Sequence, residues 1–422
     1  MFGSIETKEI KEREVVSSSR LIDVHPIIEK ILLSRGIDCA QQLNIDLAGL
    51  IPADFFDLQK ALLILENAIA HHQKILIVGD FDVDGATSTA LAVLALKAFG
   101  ATQVHYLVPN RFQFGYGLSV ELVEFAIAND CPDVIVTVDN GIANILGVAR
   151  AKAENISVII TDHHLPGSTL PDADAIINPN HPYCPFPSKN LAGVGVIFYV
   201  MVALRTYLRE RKWFQQQQIT EPNIAQFLDL VALGTVADMV PLDQNNRILV
   251  HHGLKRIRAG ACRLGIKALL AVGKRNIQDV SADDLGFAVA PRLNAAGRLE
   301  DMSAGIECLL CQDEVSAFEY AVMLDKINQD RKKIEEQMRE EAEFLVDQFQ
   351  KNMGNIPLGV CLFQPDWHQG VIGLVASRIK EKVNRPVIAF ATDQNGKIKG
   401  SARSITGLHI RDLLCYIDTQ NP

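Results

Sequence analysis

Short apolar runs rich in β-branched residues alternate with stretches of helical periodicity in the first half of the chain. The runs predict five strands, at 74–80, 103–109, 133–139, 157–162 and 174–179. Between them, stretches such as 86–100 and 119–130 have the apolar spacing of helices. Continuous apolar strands that alternate with helices are typical of a parallel sheet covered on both faces. The pattern therefore predicts an α/β fold whose ligands gather at the carboxyl ends of the strands.

The remaining sequence predicts further units around this sheet. Residues 1–60 carry weaker helical signals, and 190–310 are mainly helical. A highly charged stretch with a sparse apolar stripe follows and predicts a long exposed helix. A new strand pattern, LGVCLFQ, then opens a second and smaller α/β region. We therefore expect an N-terminal helical extension, a parallel-sheet catalytic domain, a connecting helix and a small substrate-binding domain, at 1–50, 51–304, 305–352 and 353–422.

Bulk composition excludes several classes of protein. The 422 residues are too many for one ordinary domain, and 48% hydrophobic and 22% charged residues are globular values. The net charge of -9 argues against a generally basic, nucleic-acid-binding surface but leaves room for a local basic groove. No apolar run is long enough to cross a membrane, and the charged N-terminus lacks a signal-peptide core.

The cysteines predict a reduced, cytoplasmic protein. Eight of them are scattered without a disulfide framework. Cys308 and Cys311 form one Cys-x-x-Cys pair, but a zinc site needs a second pair nearby. Two buried helix cysteines are therefore the preferred interpretation.

Three aspartates follow the first predicted strand at alternate positions, Asp80, Asp82 and Asp84. Like charges at this spacing raise the free energy of ionising one another. Two interpretations are open: a solvated loop in which the spacing has no meaning, or a site that binds a cation.

Two further strands end in potential ligands. Asp139 closes the third strand, and Asp162, His163 and His164 close the fourth. Neighbouring parallel strands lie about 4.8 Å apart, so adjacent strand ends can share one small site. Carboxylates with an occasional imidazole suit Mn²⁺ or Mg²⁺ better than zinc with thiolates. Asp238, which follows a buried helical stretch, is either a helix-end residue or a further member of this site.

Several motifs resemble a known family. DFDVDG, VTVDNG, TDHH and GTVADMVPL resemble the successive motifs of the DHH phosphoesterase superfamily. VPNRFQFGYGLS, PRLNAAGRL and GVIGLVASRI resemble motifs of its RecJ-type members, and the likeness covers about residues 20–415. It implies a parallel-sheet DHH domain joined by a long helix to a smaller α/β DHHA1-type domain.

The resemblance implies a site for two ions, Mn²⁺ or Mg²⁺. The implied metal ligands are Asp82, Asp84, Asp139, His163 and Asp238. Within this set Asp139 matches the carboxylate that bridges the ions, and His164 matches a histidine that faces the scissile phosphate. Asp80 matches a further acid, and we expect Asp162 to orient a histidine.

Basic and small residues predict the substrate contacts. The candidates are Arg111, Arg292, Asn294 and Arg298. Ser401 and Arg403 join them because KGSARSITG resembles the substrate-binding strand of DHHA1 domains. Residues 291–299 are expected to form a small-residue loop whose guanidinium groups bind phosphate; pairing of these arginines with Glu300 and Asp301 is the alternative. Arg111 could also be an ordinary surface arginine. Two further alternatives concern aromatic residues: Trp367 is either a core residue or part of a phosphate site, and Phe112, Phe114 and Tyr116 either stack on bases or anchor a loop.

The resemblance implies a two-metal exonuclease of DNA repair and recombination, which releases mononucleotides from the 5′ end of single-stranded DNA. Single-strand-binding protein and a helicase are the implied partners. One alternative within the superfamily is a nano-RNase or cyclic-dinucleotide phosphodiesterase. Another is an inactive interaction module of replication complexes, which the full set of metal ligands disfavours. In the family the last domain continues to a glycine-histidine motif and an OB-fold, so we expect a C-terminally shortened chain.

Overall fold

The first sheet contains five parallel strands. The structure, a computed structural model, describes residues 24–353, 356–393 and 396–420. The strands are β1 (Ile75–Gly79), β2 (Val104–Leu107), β3 (Val134–Val138), β4 (Ser157–Thr161) and β5 (Ala175–Ile177). They lie in the order β2-β1-β3-β4-β5, and every pairing is parallel. The predicted parallel sheet is therefore confirmed.

Helices surround this sheet. The α-helices before the connecting segment are α1 (Pro26–Leu33), α2 (Leu58–Ala70), α3 (Val83–Ala98), α4 (Val120–Asn129), α5 (Ile145–Ala153), α6 (Gly193–Glu210), α7 (Trp213–Gln216), α8 (Leu228–Ala237), α9 (Gln244–Arg258), α10 (Leu264–Val272), α11 (Ala282–Asp284), α12 (Ala290–Leu299) and α13 (Ser303–Leu310). Short 3₁₀ turns cover Ala40–Leu43, Leu47–Gly49, Ile224–Phe227 and Ile277–Asp279, and a π-helix covers Leu285–Val289.

The two faces of the sheet belong to two separate cores. Alternate residues of a strand point to opposite faces. On β1, Ile75 and Ile77 join the larger core with α2, α3, α6 and α8. Leu76 and Val78 join the smaller core with α4 and α5. Burial on both faces explains why the strands are continuously apolar.

A long helix leads to a second, smaller unit. The elements are α14 (Glu314–Met353), β6 (Val360–Phe363), α15 (Ile372–Val383), β7 (Val387–Thr392), β8 (Ile398–Arg403) and α16 (Ile410–Gln420). β6 pairs in parallel with β7, and β7 pairs antiparallel with β8. Met338, Ala342 and Val346 of α14 pack into the core of this unit, so the long helix is part of both units. Within the described residues, no helix is both long and apolar enough to span a bilayer.

Two expectations about local structure were wrong. Residues 290–299 are not a loop but helix α12, because their alanines, leucines and arginines favour helix and Pro291 sits in its first turn, where proline is tolerated. The long helix begins at Glu314 and not near residue 305, because the Asp313 carboxylate accepts a hydrogen bond from the Ser316 amide and starts a new helix there. The helical signals predicted within residues 1–23 lie outside the described residues.

Candidate metal centre

Three neighbouring strands end in acidic residues at one edge of the first sheet. β1, β3 and β4 are adjacent, and their registers align Gly79 with Val138 and Val138 with Thr161. The next residue in each case is an aspartate: Asp80, Asp139 and Asp162. All three carboxylates are buried. The strand ends therefore meet as the sequence predicted.

His163 lies at the centre of the resulting cluster. Its Nε2 is 3.1 Å from Asp139 Oδ1 and 3.8 Å from Asp84 Oδ2. Asp238 Oδ2 is 3.5 Å from the same nitrogen. Asp238 follows α8, whose last turn brings the carboxylate to the strand ends. Of the two interpretations of Asp238, the structure favours membership of the site.

Two sets of side chains with no residue in common have the spacing of metal ligands, with all ligand atoms of a set within 4.8 Å of one another. One set is Asp84, His163 and Asp238; the other is Asp80, Asp82 and Asp139. A third combination joins Asp139 to His163 and His164. Asp139 therefore belongs to two of the three combinations.

The chemistry of the donor atoms fits a divalent cation. Asp139 Oδ1 and His163 Nε2 are both buried without a hydrogen-bond partner, and buried polar atoms are normally paired. Carboxylate oxygens with one imidazole suit Mn²⁺ or Mg²⁺. Among the described residues, the groups with metal-ligand spacing contain no cysteine. Cys308 is buried in α13 and Cys311 is partly buried at its end.

Local backbone geometry holds the carboxylates in place. Asp84 accepts hydrogen bonds from the Gly193 amide at 2.6 Å and the Val194 amide at 2.9 Å, both at the start of α6. Asp82 is the N-cap of α3 and accepts a hydrogen bond from the Gly85 amide. A Cβ atom at position 193 would lie 2.6 Å from Asp139 Cβ, so only glycine leaves room for the Asp139 side chain.

Burial and mutual repulsion make the carboxylates hard to ionise without a cation. Burial, followed by the neighbouring aspartates, raises the pKa of Asp80, Asp84 and Asp139 well above the ordinary value. Burial and the charge of Asp82 raise the pKa of Asp238 to about 7. Burial and the neighbouring His164 lower the pKa of His163 to about 4, which keeps its imidazole neutral and able to bind a metal.

His164 and Asp162 form a separate pair beside the ligands. Asp162 Oδ1 lies 2.7 Å from His164 Nδ1, and it also accepts hydrogen bonds from the amides of His163 and His164. Burial opposes the charge on His164, but the hydrogen bond and charge of Asp162 prevail and raise its pKa to about 9. Burial likewise opposes ionisation of Asp162, yet His164 and the backbone amides keep its pKa below the ordinary value. His164 is therefore held as a cation.

Two arginines of the first unit approach the acidic cluster. The Arg111 guanidinium stacks over the Phe81 ring with its Cζ 3.9 Å from the ring centroid. Burial, followed by the nearby Arg111 and Arg331, lowers the pKa of Arg298 to about 10, so its side chain is charged at neutral pH and close to Asp82. The Arg298 Nη1 donates to the Gly370 carbonyl at 3.4 Å, which links α12 to the second unit.

The second unit contributes a serine and an arginine to this side of the site. Arg403, at the end of β8, donates to Ser401 Oγ at 3.2 Å and to Ser377 Oγ at 3.0 Å. It is also close enough to influence the charge on Arg298. The Phe112 ring packs against His368 with a centroid distance of 5.7 Å, so the 108–119 loop contacts the second unit.

Two predicted substrate residues have structural partners. Arg292 pairs with Asp325 of α14 at 2.8 Å and donates to the Ala288 carbonyl. Asn294 Oδ1 accepts a hydrogen bond from the Val83 amide at 3.2 Å, at the start of α3. The structure thus brings Arg298 to the acidic cluster but pairs Arg292 elsewhere, with a partner in another helix rather than Glu300 or Asp301.

Contacts place two of the aromatic residues in the interior or in loop packing. Trp367 is a core residue, 4% exposed, whose Nε1 donates to Glu341 Oε2 at 2.8 Å. Phe114 anchors its loop by packing on Phe125. Tyr116, by contrast, is exposed, and its hydroxyl lies 3.4 Å from His164 Nε2.

Sequence reasoning missed the residues that shape the centre without binding anything in it. Asn140 has no exposed surface, and its Nδ2 donates to the carbonyls of Val78 and Val138, which ties β1 to β3 directly beneath the aspartates. Its position directly after Asp139 was the only available signal. The sequence contained no signal for the Gly193 and Val194 amides, because these residues lie more than a hundred positions from Asp84 in the chain.

Comparison with known protein families agrees with this architecture. The model of the DHH family N-terminal domain matches residues 74–235, and the DHHA1 domain matches residues 355–421. The first match contains the five-stranded sheet and most of the metal-ligand candidates, and the second contains the smaller sheet. The fold and the acidic centre are thus those of a DHH–DHHA1 protein.

Comparison with individual relatives identifies the family within the DHH–DHHA1 proteins. The chain is 53% identical to the single-stranded-DNA-specific exonuclease RecJ of Salmonella typhimurium and of Escherichia coli; each match covers 98% of this chain and 72% of the relative. The crystal structure of Thermus thermophilus RecJ with Mn²⁺ has a TM-score of 0.74 and 31% identity over 92% of this chain and 53% of that one. A manganese-bound RecJ exonuclease structure has a TM-score of 0.71 and 32% identity, over 87% of this chain and 86% of that one. The chain belongs to the RecJ family.

Proposed function

We propose that this chain is a metal-dependent exonuclease that hydrolyses single-stranded DNA from its 5′ end and releases mononucleotides during repair and recombination. One observation carries the proposal: buried carboxylates with the spacing of two metal sites lie directly beside a cluster of charged arginines from both units. Such a site matches the needs of a phosphodiester, whose phosphate requires cations and whose cleavage requires an activated water. The 5′ polarity rests on membership of the RecJ family.

Six side chains are available to hold the ions. We assign Asp84, His163 and Asp238 to one position and Asp80, Asp82 and Asp139 to the other, with Asp139 shared. These residues would hold Mn²⁺ or Mg²⁺, and such an ion would supply a water of lowered pKa and positive charge for the leaving group. The protein keeps His163 neutral through burial, so that its Nε2 is free to bind.

His164 acts on the scissile phosphate in this scheme. Asp162 fixes the Nδ1 side of its ring and keeps it protonated, which leaves Nε2 to donate toward a phosphate oxygen. A protonated imidazole stabilises the negative charge that grows on that oxygen. The Tyr116 hydroxyl, 3.4 Å from Nε2, borders the same side of the ring.

The arginines hold the strand. Arg111, Arg298 and Arg403, with Ser401, are the groups that we assign to backbone phosphates. Asn294 contributes by fixing the start of α3, and Arg292 by fixing α12 on α14. A site reached between two units accepts a narrow single strand more easily than a duplex. Single-strand-binding protein and a helicase are the partners that we propose would supply such strands.

The test uses oligonucleotides labelled at either end, single-stranded or blunt duplex, with Mn²⁺. Mononucleotides are expected first from the 5′ end of the single strand. Asp139→Asn is the inactive control, and Asp172→Asn, at an exposed site, is the matched control for a lost carboxylate. Release from the 3′ end, or equal attack on duplex, would contradict the proposal. Preferred cleavage of RNA dinucleotides or cyclic dinucleotides would favour the other DHH activities.

A further inference from the structure

Two large apolar side chains stand in solvent beside the metal centre. Met239 is 85% exposed and directly follows the candidate ligand Asp238. Phe287 is 77% exposed and lies three residues before the start of α12, the helix that carries Arg298. Neither residue has a part in metal binding or in the phosphate contacts described above.

Met239 occupies a position that glycine fits better. α8 ends at Ala237, Asp238 caps it, and Met239 follows with φ 60°. This left-handed position after a helix is most often glycine, because a Cβ atom is strained there. The chain thus has a strained backbone and an exposed thioether at a position where glycine would remove both the strain and the exposed apolar group.

Phe287 also depends on irregular backbone. It is the central residue of the π-helix Leu285–Val289. π-helices are rare, and they occur frequently at functional sites because the extra residue redirects side chains. Leu285, Ala288 and Val289 of this segment are buried, whereas Phe287 is directed outward.

The two segments meet next to Asp238. A Cβ atom on Gly286 would lie 3.4 Å from Val236 Cγ1, so the backbone before Phe287 touches the last turn of α8. Met239 follows that turn, and between them Asp238 points at His163. The two exposed side chains therefore stand on neighbouring segments at the edge of the metal centre.

We infer that Met239 and Phe287 form a clamp for the base of a nucleotide next to the scissile phosphate, an inference that rests on the proposed function. A phosphate or sugar would gain nothing from these side chains, whereas a base has two apolar faces. A phenylalanine ring stacks on any base, and a thioether packs well against an aromatic edge. The clamp is thus independent of sequence, and it distinguishes a polynucleotide from pyrophosphate or other small phosphate esters.

The experiment combines side-chain removal with base removal. Met239→Gly and Phe287→Ala are each expected to raise KM for a single strand about threefold to tenfold and to leave kcat nearly unchanged. Oligonucleotides with one abasic position at the first, second or third nucleotide then locate the base. At that position, removing the base should raise the KM of the wild-type protein by the same factor as removing either side chain. In the variants, removing the base should raise KM little further, because the base and the clamp act as one pair.

Three comparisons separate a clamp from a structural role. Met239→Gly removes backbone strain, so its Tm should stay the same or rise by about 1–2 °C while KM rises. Met239→Leu should restore most of the binding. Phe318→Ala removes an exposed ring from α14 and should change nothing. A protein that cleaves single strands with the same abasic pattern in wild type and variants overturns the clamp, whereas a wild-type protein that cleaves no single strand contradicts the proposed function.

Discussion

At the scale of single residues, Asp139 combines three unusual properties. Its backbone is left-handed at φ 63°, its carboxylate is 2% exposed, and one of its oxygens has no hydrogen-bond partner. Asp and Asn tolerate this backbone better than other residues except glycine, because their short polar side chains bond locally. The position is therefore constrained by conformation as well as by charge, and asparagine rather than alanine isolates the charge.

Asp139→Asn should lower Mn²⁺-dependent hydrolysis at least about a hundredfold, because we assign the residue to both ion positions. The metal-free protein should not become less stable, since one of several repelling carboxylates is removed. Cleavage assays and thermal melts in chelator, with Asp172→Asn in parallel, measure both effects. Near-normal cleavage would refute the assignment of two ions around Asp139.

Asp162→Asn should change the pH dependence of the reaction. Asp162 raises the pKa of His164 to about 9, so protonated His164 persists well above neutral pH. Without that charge the pKa falls, and the alkaline limb of the rate profile should move to lower pH by more than about one unit. Asp172→Asn again serves as control. A profile with unchanged shape and a lower rate would leave Asp162 with a structural role only.

At the scale of elements, the sequence pattern predicted the strands and the aspartates that follow them, but it did not predict helix α12. The apolar runs and the aspartates after them follow from local rules: both faces of the sheet are buried, and parallel strands end at the same edge. The partners of Arg292 and Asn294 could not be predicted from the local sequence, because Asp325 and Val83 lie in helices that are distant in the chain. The π-helix could not be predicted from the sequence either, since no residue composition distinguishes it from an α-helix.

The long helix α14 joins the two units through polar as well as apolar contacts. Arg331 pairs with Glu335, and Glu335 also contacts Arg378 of α15 at 3.3 Å. Further along the helix, Glu341 accepts the Trp367 hydrogen bond at 2.8 Å. The core of the second unit is separate from the two cores around the first sheet. Damage at Trp367 should therefore remain local.

Trp367→Ala should destabilise the second unit by about 3–5 kcal/mol, the usual loss for a large buried ring. Hydrogen exchange should accelerate in β6 and β7 and remain slow in β1 and β3. Trp367→Phe keeps most of the ring but removes the indole donor to Glu341 Oε2, so a smaller loss of about 1–3 kcal/mol is expected. Equal acceleration in both sheets would show that the two units unfold together.

At the scale of the whole molecule, positive charge is concentrated in one place although the net charge is negative. The chain carries a net charge of -9, yet Arg111, Arg298 and Arg403 converge where the two units meet the acidic centre. Buried aspartates and partly buried arginines thus lie beside the space that we assign to the scissile phosphate. Cations would neutralise the acids, and phosphates would neutralise the arginines, so metal and substrate each complete half of the site.

Stability should consequently respond to Mn²⁺ in a pH-dependent way. The folded protein raises the pKa of Asp238 from 3.8 to about 7, and it raises those of Asp80, Asp84 and Asp139 as well. A raised pKa means that the metal-free folded state holds these protons more tightly than the unfolded chain. For Asp238, that contribution is fully present below about pH 4 and is lost as the pH rises through about 7.

Mn²⁺ binds the deprotonated ligands and competes with those protons. At about a hundredfold excess over its Kd, a bound ion stabilises the fold by about 2.7 kcal/mol. The Tm increase caused by Mn²⁺ should therefore be large at about pH 8 and small at about pH 5.5. In Asp238→Asn the loss of metal-free stability between about pH 4 and 7 should be shallower than in the wild type, and the Mn²⁺ effect should shrink at both pH values. An equal Mn²⁺ shift at the two pH values would mean that the ion binds elsewhere, away from the buried aspartates whose protons it must displace.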